Sequence, residues 1–386
     1  MPLSPDAVAQ AAVSAAASAD GTESARRLNG ETVRLLTRAG FARHFVPRVW
    51  GGTEGTFSAL VDAAATVGAG CASAAWCGAL WAAHGRFAAY LPLPGQRDLW
   101  AASPDALITA VMSASGTARP LPDGWLLSGR WRYASGVDFA DWLLLTATEP
   151  TEQGTRCRVF AVPRGEAEVL DTWQSAGMRG TGSHTVVVES AFVPGHRSFL
   201  MSDLTAGTPG PGRARCHHAP AQLGGGLLFC APAFGAARHA LEAWTRRAAR
   251  SARAQSDRDA LRLHRTLARS ADEIEAAHLL LRDAAQRADA DAWTERDVAR
   301  NKRVAASVVS LLATAVERLH RTGGGPGQGG GDVVERCHRD VRTVADHRML
   351  RPEQAAVDYA TTVFSELTEE PAPARESALE VPRVDA

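Results

Sequence analysis

No stretch of this 386-residue sequence approaches the ~20 consecutive apolar residues that cross a membrane. Its N-terminus lacks the basic segment and apolar core of a secretory signal. Excess charge is also absent, because 42 basic and 42 acidic side chains leave a formal net charge of zero. Nucleic acid and anionic membrane surfaces are therefore not favoured as partners, and we expect a cytoplasmic protein.

Metal and nucleotide motifs are missing too. The six cysteines form no Cys-x-x-Cys pair and have no zinc-like set of histidines nearby, so we expect reduced, mostly buried thiols and no metal site. No Gly-x-Gly-x-x-Gly follows a predicted strand and opens a helix. The Gly-rich stretch 323–331 lacks the Lys-Ser/Thr of a P-loop. A nicotinamide site of the Rossmann type is therefore not expected.

Three kinds of pattern follow one another along the chain. Residues 1–105 have apolar residues at helical spacing, which predicts an N-terminal helical domain. Residues 106–202 consist of short apolar or alternating runs separated by Gly, Pro and Asp, which predicts an antiparallel β domain of seven or eight strands. A linker loop is expected at 203–220, a C-terminal four-helix bundle at 221–368 and a disordered tail at 369–386. The predicted fold is mainly α with a central β domain.

The stretch GRWRYASGVDFADWLLLTA, residues 129–147, raises a question of function. It is typical of two strands joined by a turn, with Ser135 and Gly136 where the chain must bend. Ser135 can be an ordinary turn residue, or its hydroxyl can face a flat ligand that lies across the strand ends. The residues by themselves leave both interpretations open.

Several segments taken together resemble the acyl-CoA dehydrogenase superfamily. Within it, the chain is most similar to the reduced-flavin-dependent, two-component monooxygenases, such as the oxygenase components of p-hydroxyphenylacetate hydroxylases and dibenzothiophene monooxygenase. The segments that carry the resemblance are FVPRVWGG (45–52), SAAWCGALWAAHG (73–85), GWLLSGRWRYASGVDFADW (124–142), DTWQSAGMRGTGSHTVVVESAFVP (171–194) and HRDVRTVADH (338–347).

This resemblance implies a fold of N-terminal helices, a β domain and a C-terminal bundle. It implies an enzyme that uses reduced FAD or FMN and O2, through a C4a-hydroperoxyflavin, to hydroxylate a small aromatic or heteroaromatic substrate in natural-product biosynthesis or aromatic degradation. A homotetramer and a separate NAD(P)H:flavin reductase are the implied partners. The Gly-rich stretch 323–331 would either approach the flavin tail of a neighbouring subunit or form a mobile lid.

The resemblance also implies roles for particular residues. Ser135 corresponds to a hydroxyl at the flavin N5 and C4a edge, and His84 and His347 correspond to catalytic histidines near C4a. An imidazole near its ordinary pKa suits both the support of a peroxide and the uptake of a substrate proton. The other implied cofactor contacts are Met112, Ser113, Ser115, Tyr133, Arg179, Thr181 and Ser183, and the implied substrate contacts are Trp81, His84 and Phe87.

Three other functions compete with this prediction. An acyl-CoA dehydrogenase needs a carboxylate base, but RTVADHRML contains no glutamate where that family has one, and Glu242 is the remaining candidate. An N-oxygenase of the same fold needs an acidic or polar pocket for an amine, whereas Trp76, Trp81 and Phe87 favour an aromatic substrate. A scaffold protein that had lost the chemistry would not be expected to retain Ser135, His84 and His347.

Overall fold

The computed structural model describes residues 3–251, 257–322 and 332–369, in which six helices are followed by seven strands and seven further helices. The helices are α1 (Pro5–Ala17), α2 (Ala19–Ala25), α3 (Gly30–Ala39), α4 (Phe57–Gly68), α5 (Ala72–Ala88), α6 (Leu93–Trp100), α7 (Met201–Ala206), α8 (Arg215–His218), α9 (Ala221–Ser251), α10 (Asp257–Ala288), α11 (Glu295–Thr322), α12 (Val333–Ala345) and α13 (Pro352–Glu369). The strands are β1 (Ile108–Leu121), β2 (Gly124–Ala134), β3 (Trp142–Thr151), β4 (Gly154–Pro163), β5 (Glu168–Leu170), β6 (His184–Pro194) and β7 (Ser198–Leu200). The prediction of a mainly α fold with a central β domain is confirmed.

The seven strands form one sheet in the order β5-β6-β2-β1-β3-β4-β7. The prediction of a wholly antiparallel sheet is wrong, because β1 and β3 run parallel, with Ile108 opposite Trp142. The segment 129–147 is therefore not a hairpin. Strands β2 and β3 lie on either side of β1, and Ser135 begins the crossover between them. Alternation along a strand reports which face is buried but not which strand is the neighbour, so the sequence pattern could not reveal this crossover.

Helix α5 lies beneath the sheet and is buried on almost every side. Fifteen of its 17 residues are buried, most of them Ala, Gly or Ser, which lets neighbouring backbones come close. It packs against α4, α9 and β1, so its side chains reach both the sheet and the C-terminal helices. This central position makes α5 the element that carries Trp76, Trp81 and His84 into the interior.

The C-terminal helices α9, α10, α11 and α12 pack against one another, and α13 adds a further helix against α11. None of the helices in the described ranges is long and apolar enough to cross a membrane. The Gly-rich stretch 323–331 and residues 370–386 of the expected tail lie outside the described residues.

The segment 203–220, expected to be a loop, contains the end of α7 and all of α8. It is fixed to the protein interior by polar contacts. The buried guanidinium of Arg86 donates to the carbonyls of Cys216 and Ala219. Nε2 of His217 lies 2.6 Å from the carbonyl oxygen of Phe45, and Nδ1 of the same ring accepts a hydrogen bond from the backbone N–H of Ala214. Tertiary hydrogen bonds therefore order a stretch whose Gly and Pro content is typical of a loop.

Helices α4 and α9 touch through their backbones at two glycines. A Cβ on Gly235 would lie 2.3 Å from the carbonyl oxygen of Ala65, and a Cβ on Gly68 would lie 2.7 Å from the carbonyl oxygen of Pro232. Both distances are shorter than real Cβ contacts. The N-terminal helices and the C-terminal bundle consequently share one core, which requires glycine at both positions.

We expect Gly235→Ala to lower the free energy of unfolding by about 1–3 kcal/mol, because the added methyl group forces α4 and α9 apart. The matched control is Gly21→Ala in α2, where a Cβ would meet nothing within 4 Å. That control should be neutral or stabilise by up to about 1 kcal/mol, since Ala is the better helix former. Urea denaturation of both variants measures the difference, and equal midpoints would contradict a tight helix crossing.

Candidate functional site

Strand β2 ends in an unusual backbone conformation. Tyr133 has a φ of 68° and Gly136 a φ of 71°, both in the left-handed region. Such a φ is uncommon for a bulky side chain and often marks a functional site. The pairing of β2 with β6 also shifts between Trp131 and Ala134. This irregular end of β2 places Ser135 in a turn where its side chain is nearly buried.

A second irregular turn lies against the first. Met178 and Gly182 also adopt left-handed φ values, of 53° and 52°. The backbone N–H of Gly136 donates to the carbonyl oxygen of Thr181 at 2.8 Å, which holds the two turns together. The side chains of Ser135, Thr181 and Ser183 are thereby gathered in one buried place.

These three side chains form a chain of hydroxyl groups, which we call the hydroxyl chain (Ser135, Ser183 and Thr181). The Oγ atoms of Ser135 and Ser183 are 2.8 Å apart, and Ser183 Oγ is 2.7 Å from Thr181 Oγ1. At one end, Trp76 Nε1 donates to Ser135 Oγ at 3.1 Å. At the other end, Thr181 Oγ1 donates to the carbonyl oxygen of Met178 at 2.9 Å.

His347 reaches the same place from the C-terminal helices. Its ring centroid is 4.2 Å from that of Phe229 and 5.9 Å from that of Trp76, and the rings of Trp76 and Phe229 stack at 4.9 Å. Helix α12 ends at Ala345, directly after its last buried residue, Val344, so His347 lies outside the helix. His347 caps the following 3₁₀ turn, and its Nδ1 accepts from the backbone N–H of Met349 at 3.3 Å.

His84 lies on α5, eight residues beyond Trp76, or about 12 Å along a helix that rises 1.5 Å per residue. It is buried, and its Nδ1 lies 2.9 Å from the carbonyl oxygen of Ile108 and 3.0 Å from the backbone nitrogen of Ala110. The backbone of β1 therefore occupies Nδ1. The ring of half-buried Phe87 is 5.8 Å away.

Both histidines are neutral at physiological pH. Burial lowers the pKa of His84 to about 4, although its hydrogen bond to the Ile108 carbonyl acts in the opposite direction. Burial also lowers the pKa of His347 to about 4, and the neighbouring positive charge of Arg348 adds to the effect. The expectation of imidazoles near their ordinary pKa is wrong, because each ring is covered by apolar or aromatic neighbours. A neutral imidazole accepts protons but does not supply one.

Three other predicted cofactor contacts lie in a bulge of β1. The pairing of β1 with β3 breaks between Val111 and Gly116, so the segment 112–115 departs from the ladder. Met112 and Ser113 are half-buried there, and Ser115 is exposed. Bulges commonly re-aim side chains next to functional sites. Tyr133 is also exposed, at 62%, with its ring edge-on to Trp173 at 6.2 Å.

Arg179 and Trp81 have structural contacts in addition to their predicted roles. The Arg179 guanidinium donates to the carbonyls of Glu23 and Ser175, each at 3.2 Å, which ties its turn to α2. Trp81 is 1% exposed, and its Nε1 would lie 2.9 Å from a Cβ on Gly136. Within the described residues this indole N–H has no hydrogen-bond partner. Trp81 therefore packs directly behind the turn that holds Ser135.

Sequence reasoning missed two residues of the site, Phe229 and Asp340. Asp340 Oδ1 accepts from the backbone N–H of Met178 at 2.5 Å and so fixes the second turn to α12. Burial raises the pKa of Asp340 to about 6, and the hydrogen bond from Met178 partly offsets this shift. Asp340 lies three residues after buried Cys337 and four before buried Val344. This helical spacing places it on the buried face of α12 and could have revealed it from the sequence.

The chemistry available here is hydrogen bonding and proton transfer. Across the described ranges, no group of three or more His, Cys, Asp or Glu side chains is placed to hold a metal ion. The site instead combines a buried hydroxyl chain, an indole donor and a neutral imidazole, at a strand end where the backbone is bent away from the sheet. Such an arrangement suits a flat ligand with polar atoms along one edge.

Comparison with known proteins agrees with this geometry. The family described as acyl-CoA dehydrogenase, C-terminal domain, matches residues 227–352. The oxygenase component of FADH2-dependent resorcinol hydroxylase from Rhizobium sp. strain MTP-10005 is 32% identical over 353 residues, which cover 86% of each chain.

Two solved structures are similar over nearly the whole chain. The HsaA monooxygenase from M. tuberculosis has a TM-score of 0.86 and 25% identity, covering 93% of this chain and 97% of that one. XiaF from Streptomyces sp., solved in complex with FADH2 and glycerol, has a TM-score of 0.81 and 25% identity, covering 93% and 94%. The resemblance to flavin-dependent monooxygenases with an acyl-CoA dehydrogenase fold is confirmed.

We expect stability to fall as pH is lowered from about 6.5 towards 4. Burial lowers the pKa of four histidines, His44, His84, His217 and His347, to about 4. The unfolded chain, with histidine pKa values of about 6.5, binds more protons than the folded protein in this range. Asp340 acts in the opposite direction between pH 6 and 4, because its folded pKa is raised, but it is one group against four.

Urea denaturation at pH 7 and pH 5 measures this effect. For each of the three histidines that are fully buried, the loss should be about 1–2 kcal/mol. His217→Gln should make the dependence on pH shallower, whereas the control His264→Gln, at an exposed position, should leave it unchanged. A wild-type protein equally stable at both pH values would show that these imidazoles are not held neutral.

Proposed function

The chain belongs to the family of flavin-dependent monooxygenase oxygenase components with the acyl-CoA dehydrogenase fold, and we propose that it uses reduced flavin and O2 to hydroxylate a small aromatic or heteroaromatic compound. The observation that carries the proposal is the position of Ser135. It lies in a strained strand end, is bound by Trp76, and is connected through that indole to the neutral ring of His347.

The residues present fit a flavin. Trp76 and Ser183 occupy two of the three hydrogen-bonding directions of the Ser135 hydroxyl, which leaves one for a ligand. Exposed Tyr133 and Ser115 and half-buried Met112 and Ser113 provide surface for the ring system beside it. Bound reduced flavin would supply the electrons and, together with O2, the oxygen atom that is transferred. The name of the resorcinol hydroxylase favours FAD, and FMN remains the alternative.

In this proposal Ser135 binds the N5 edge of the flavin, and Tyr133, Met112, Ser113 and Ser115 contact the ring. Thr181 and Ser183 support Ser135 from behind, and Arg179 holds their turn in place. The buried surroundings of Ser135 exclude bulk water. The activated oxygen would therefore react with the substrate and would not be lost as hydrogen peroxide.

His347 is proposed as the base that takes the proton of the substrate hydroxyl or ring N–H. Its pKa of about 4 keeps it neutral at pH 7, and the nitrogen that accepts the proton is Nδ1, which must first release its 3.3 Å contact with the backbone N–H of Met349. His84 is proposed to contribute a hydrogen bond through Nε2, because its Nδ1 is occupied by the β1 backbone. Trp81 and Phe87 of α5 are proposed to line one side of the substrate site.

An aromatic substrate is favoured over an amine. The surroundings of His347 are the rings of Trp76 and Phe229, which suit stacking with another ring. Two acids lie beside the second turn, and both have partners: Asp340 accepts the N–H of Met178, and Asp138 pairs with Arg27 at 3.7 Å. Dehydrogenation is disfavoured as well, since Glu242 is an exposed residue of α9 that pairs with Arg246.

Two partners complete the proposal. A separate flavin reductase would supply reduced flavin, as the term oxygenase component implies for the resorcinol hydroxylase. The chain would assemble as a homotetramer. Support comes from exposed apolar side chains on α13, where Val357, Phe364 and Leu367 are 59%, 66% and 65% exposed.

The function is tested with reduced FAD, O2 and a panel of phenols that includes resorcinol. We expect His347→Ala to bind reduced FAD but to form product about a hundredfold more slowly, and to release hydrogen peroxide in its place, because the positioned base is lost. The control His264→Ala, at an exposed position of α10, should behave like wild type. If His347→Ala retained the wild-type ratio of product to peroxide, the base would have to be sought at His84.

The need for a reductase is tested without one. Purified protein mixed with NADH or NADPH and FAD should oxidise neither nicotinamide, and product should form once a flavin reductase is added. Absorbance at 340 nm follows the reaction. Oxidation of NADH by the protein alone would contradict the proposed division into two components.

A further inference from the structure

The hydroxyl chain has a property that goes beyond holding Ser135 in place: its hydrogen bonds can run in either of two directions. Hydroxyl hydrogens rotate, so Ser183 and Thr181 can each donate to either neighbour, and Ser135 can donate either to Ser183 or to a ligand. The heavy-atom distances of 2.8 and 2.7 Å suit a hydrogen bond of either polarity. Which direction is adopted determines what Ser135 offers to a ligand.

Trp76 limits Ser135 to two hydrogen-bonding states. An indole N–H can only donate, so Trp76 always occupies one lone pair of Ser135 Oγ. One lone pair and one hydrogen of Ser135 remain, and Ser183 takes one of the two. When Ser135 donates to Ser183, the hydroxyl of Ser135 can only accept a hydrogen bond from a ligand. When Ser183 donates to Ser135, the hydroxyl of Ser135 can only donate a hydrogen bond to a ligand.

The far end of the chain favours one of these two states. If Ser135 donates to Ser183, then Ser183 donates to Thr181 and Thr181 donates to the Met178 carbonyl, as its 2.9 Å contact allows. In the opposite direction Thr181 must turn towards Ser183 and gives up that bond. The Met178 carbonyl stays satisfied, because Trp173 Nε1 and the Thr181 N–H also donate to it, at 3.0 and 3.2 Å. The accepting state of Ser135 therefore has one hydrogen bond more.

This asymmetry matches a difference between the two redox forms of a flavin. Reduced flavin has a hydrogen on N5 and presents a donor, whereas oxidised flavin presents a lone pair there and acts as an acceptor. Resting on the proposed contact of Ser135 with N5, we propose that Ser183 and Thr181 are positioning residues that make the site bind reduced flavin more tightly than oxidised flavin. They do so by holding Ser135 as an acceptor.

The burial of the three hydroxyl groups determines how strong the preference for reduced flavin is. Thr181 is 2% exposed, and Ser135 and Ser183 are each 6% exposed, so water does not readily replace a lost partner. In Thr181→Val, the accepting state of Ser135 leaves the hydroxyl hydrogen of Ser183 without a partner, while the donating state leaves only a lone pair unused. A buried donor without a partner destabilises the state that contains it, so this variant should shift the preference by about tenfold towards oxidised flavin.

The test is the ratio of the dissociation constants for oxidised and dithionite-reduced FAD, measured anaerobically on the full chain. Thr181→Val should lower this ratio about tenfold, and the midpoint potential of bound FAD should fall by about 30 mV, since tenfold corresponds to 29.6 mV for two electrons. Thr181→Ser keeps the hydroxyl and should restore the wild-type ratio. Ser183→Ala should act in the same direction as Thr181→Val, which provides a second variant if the first does not fold.

The matched control is Thr172→Val, which removes a hydroxyl from a separate pair with Thr185, 2.7 Å apart. It should leave the ratio unchanged. If wild type hydroxylates phenols but Thr181→Val and Ser183→Ala bind both forms of FAD with an unchanged ratio, the inference is wrong and the proposed function stands. If wild type binds neither form and makes no product, both the inference and the proposed function are overturned.

Discussion

The hydrogen bond from Trp76 to Ser135 is the contact on which the site depends, because it brings all three parts of the chain together. Trp76 belongs to the N-terminal helices, and Ser135 ends strand β2 of the sheet. On its other side, Trp76 stacks with Phe229 of α9 and meets His347 beyond α12. A shift of any one part relative to the others would break a contact of this indole. The site is therefore assembled by tertiary packing and not by any single element.

The need of buried polar groups for hydrogen-bond partners explains how the other side chains of the site are arranged. A polar group that leaves water must find a hydrogen-bond partner, or it costs free energy. Ser135, Ser183 and Thr181 meet this requirement by bonding to one another, with Trp76 and the Met178 carbonyl at the two ends. Asp340 adds the bond that holds the Met178 backbone in its left-handed conformation. The strained turns persist because several such bonds determine them at once.

Much of the fold could be predicted from the sequence, but the arrangement of the site could not. Helical spacing, short alternating runs and Gly-Pro boundaries reveal the order of helices and strands, and the resemblance selected Ser135, Thr181 and Ser183, which the structure brings together. The parallel pairing of β1 with β3 depends on which strands become neighbours, and alternation does not encode this. The low pKa values of His84 and His347 arise from burial by residues far away in sequence. Phe229 and Asp340 matter for the same reason, since their partners lie on distant segments.

Trp76 also lies between the hydroxyl chain and His347. Its indole nitrogen donates to Ser135 but has no lone pair with which to accept a proton, so no proton can pass through it from His347 to the hydroxyl chain. His347 instead adjoins the exposed residues Arg348 and Met349. The hydroxyl chain, which ends at a backbone carbonyl, can change the direction of its hydrogen bonds but cannot drain protons to solvent. One indole thus contacts both groups while keeping the ring of the histidine apart from the hydrogen bonds of the serine.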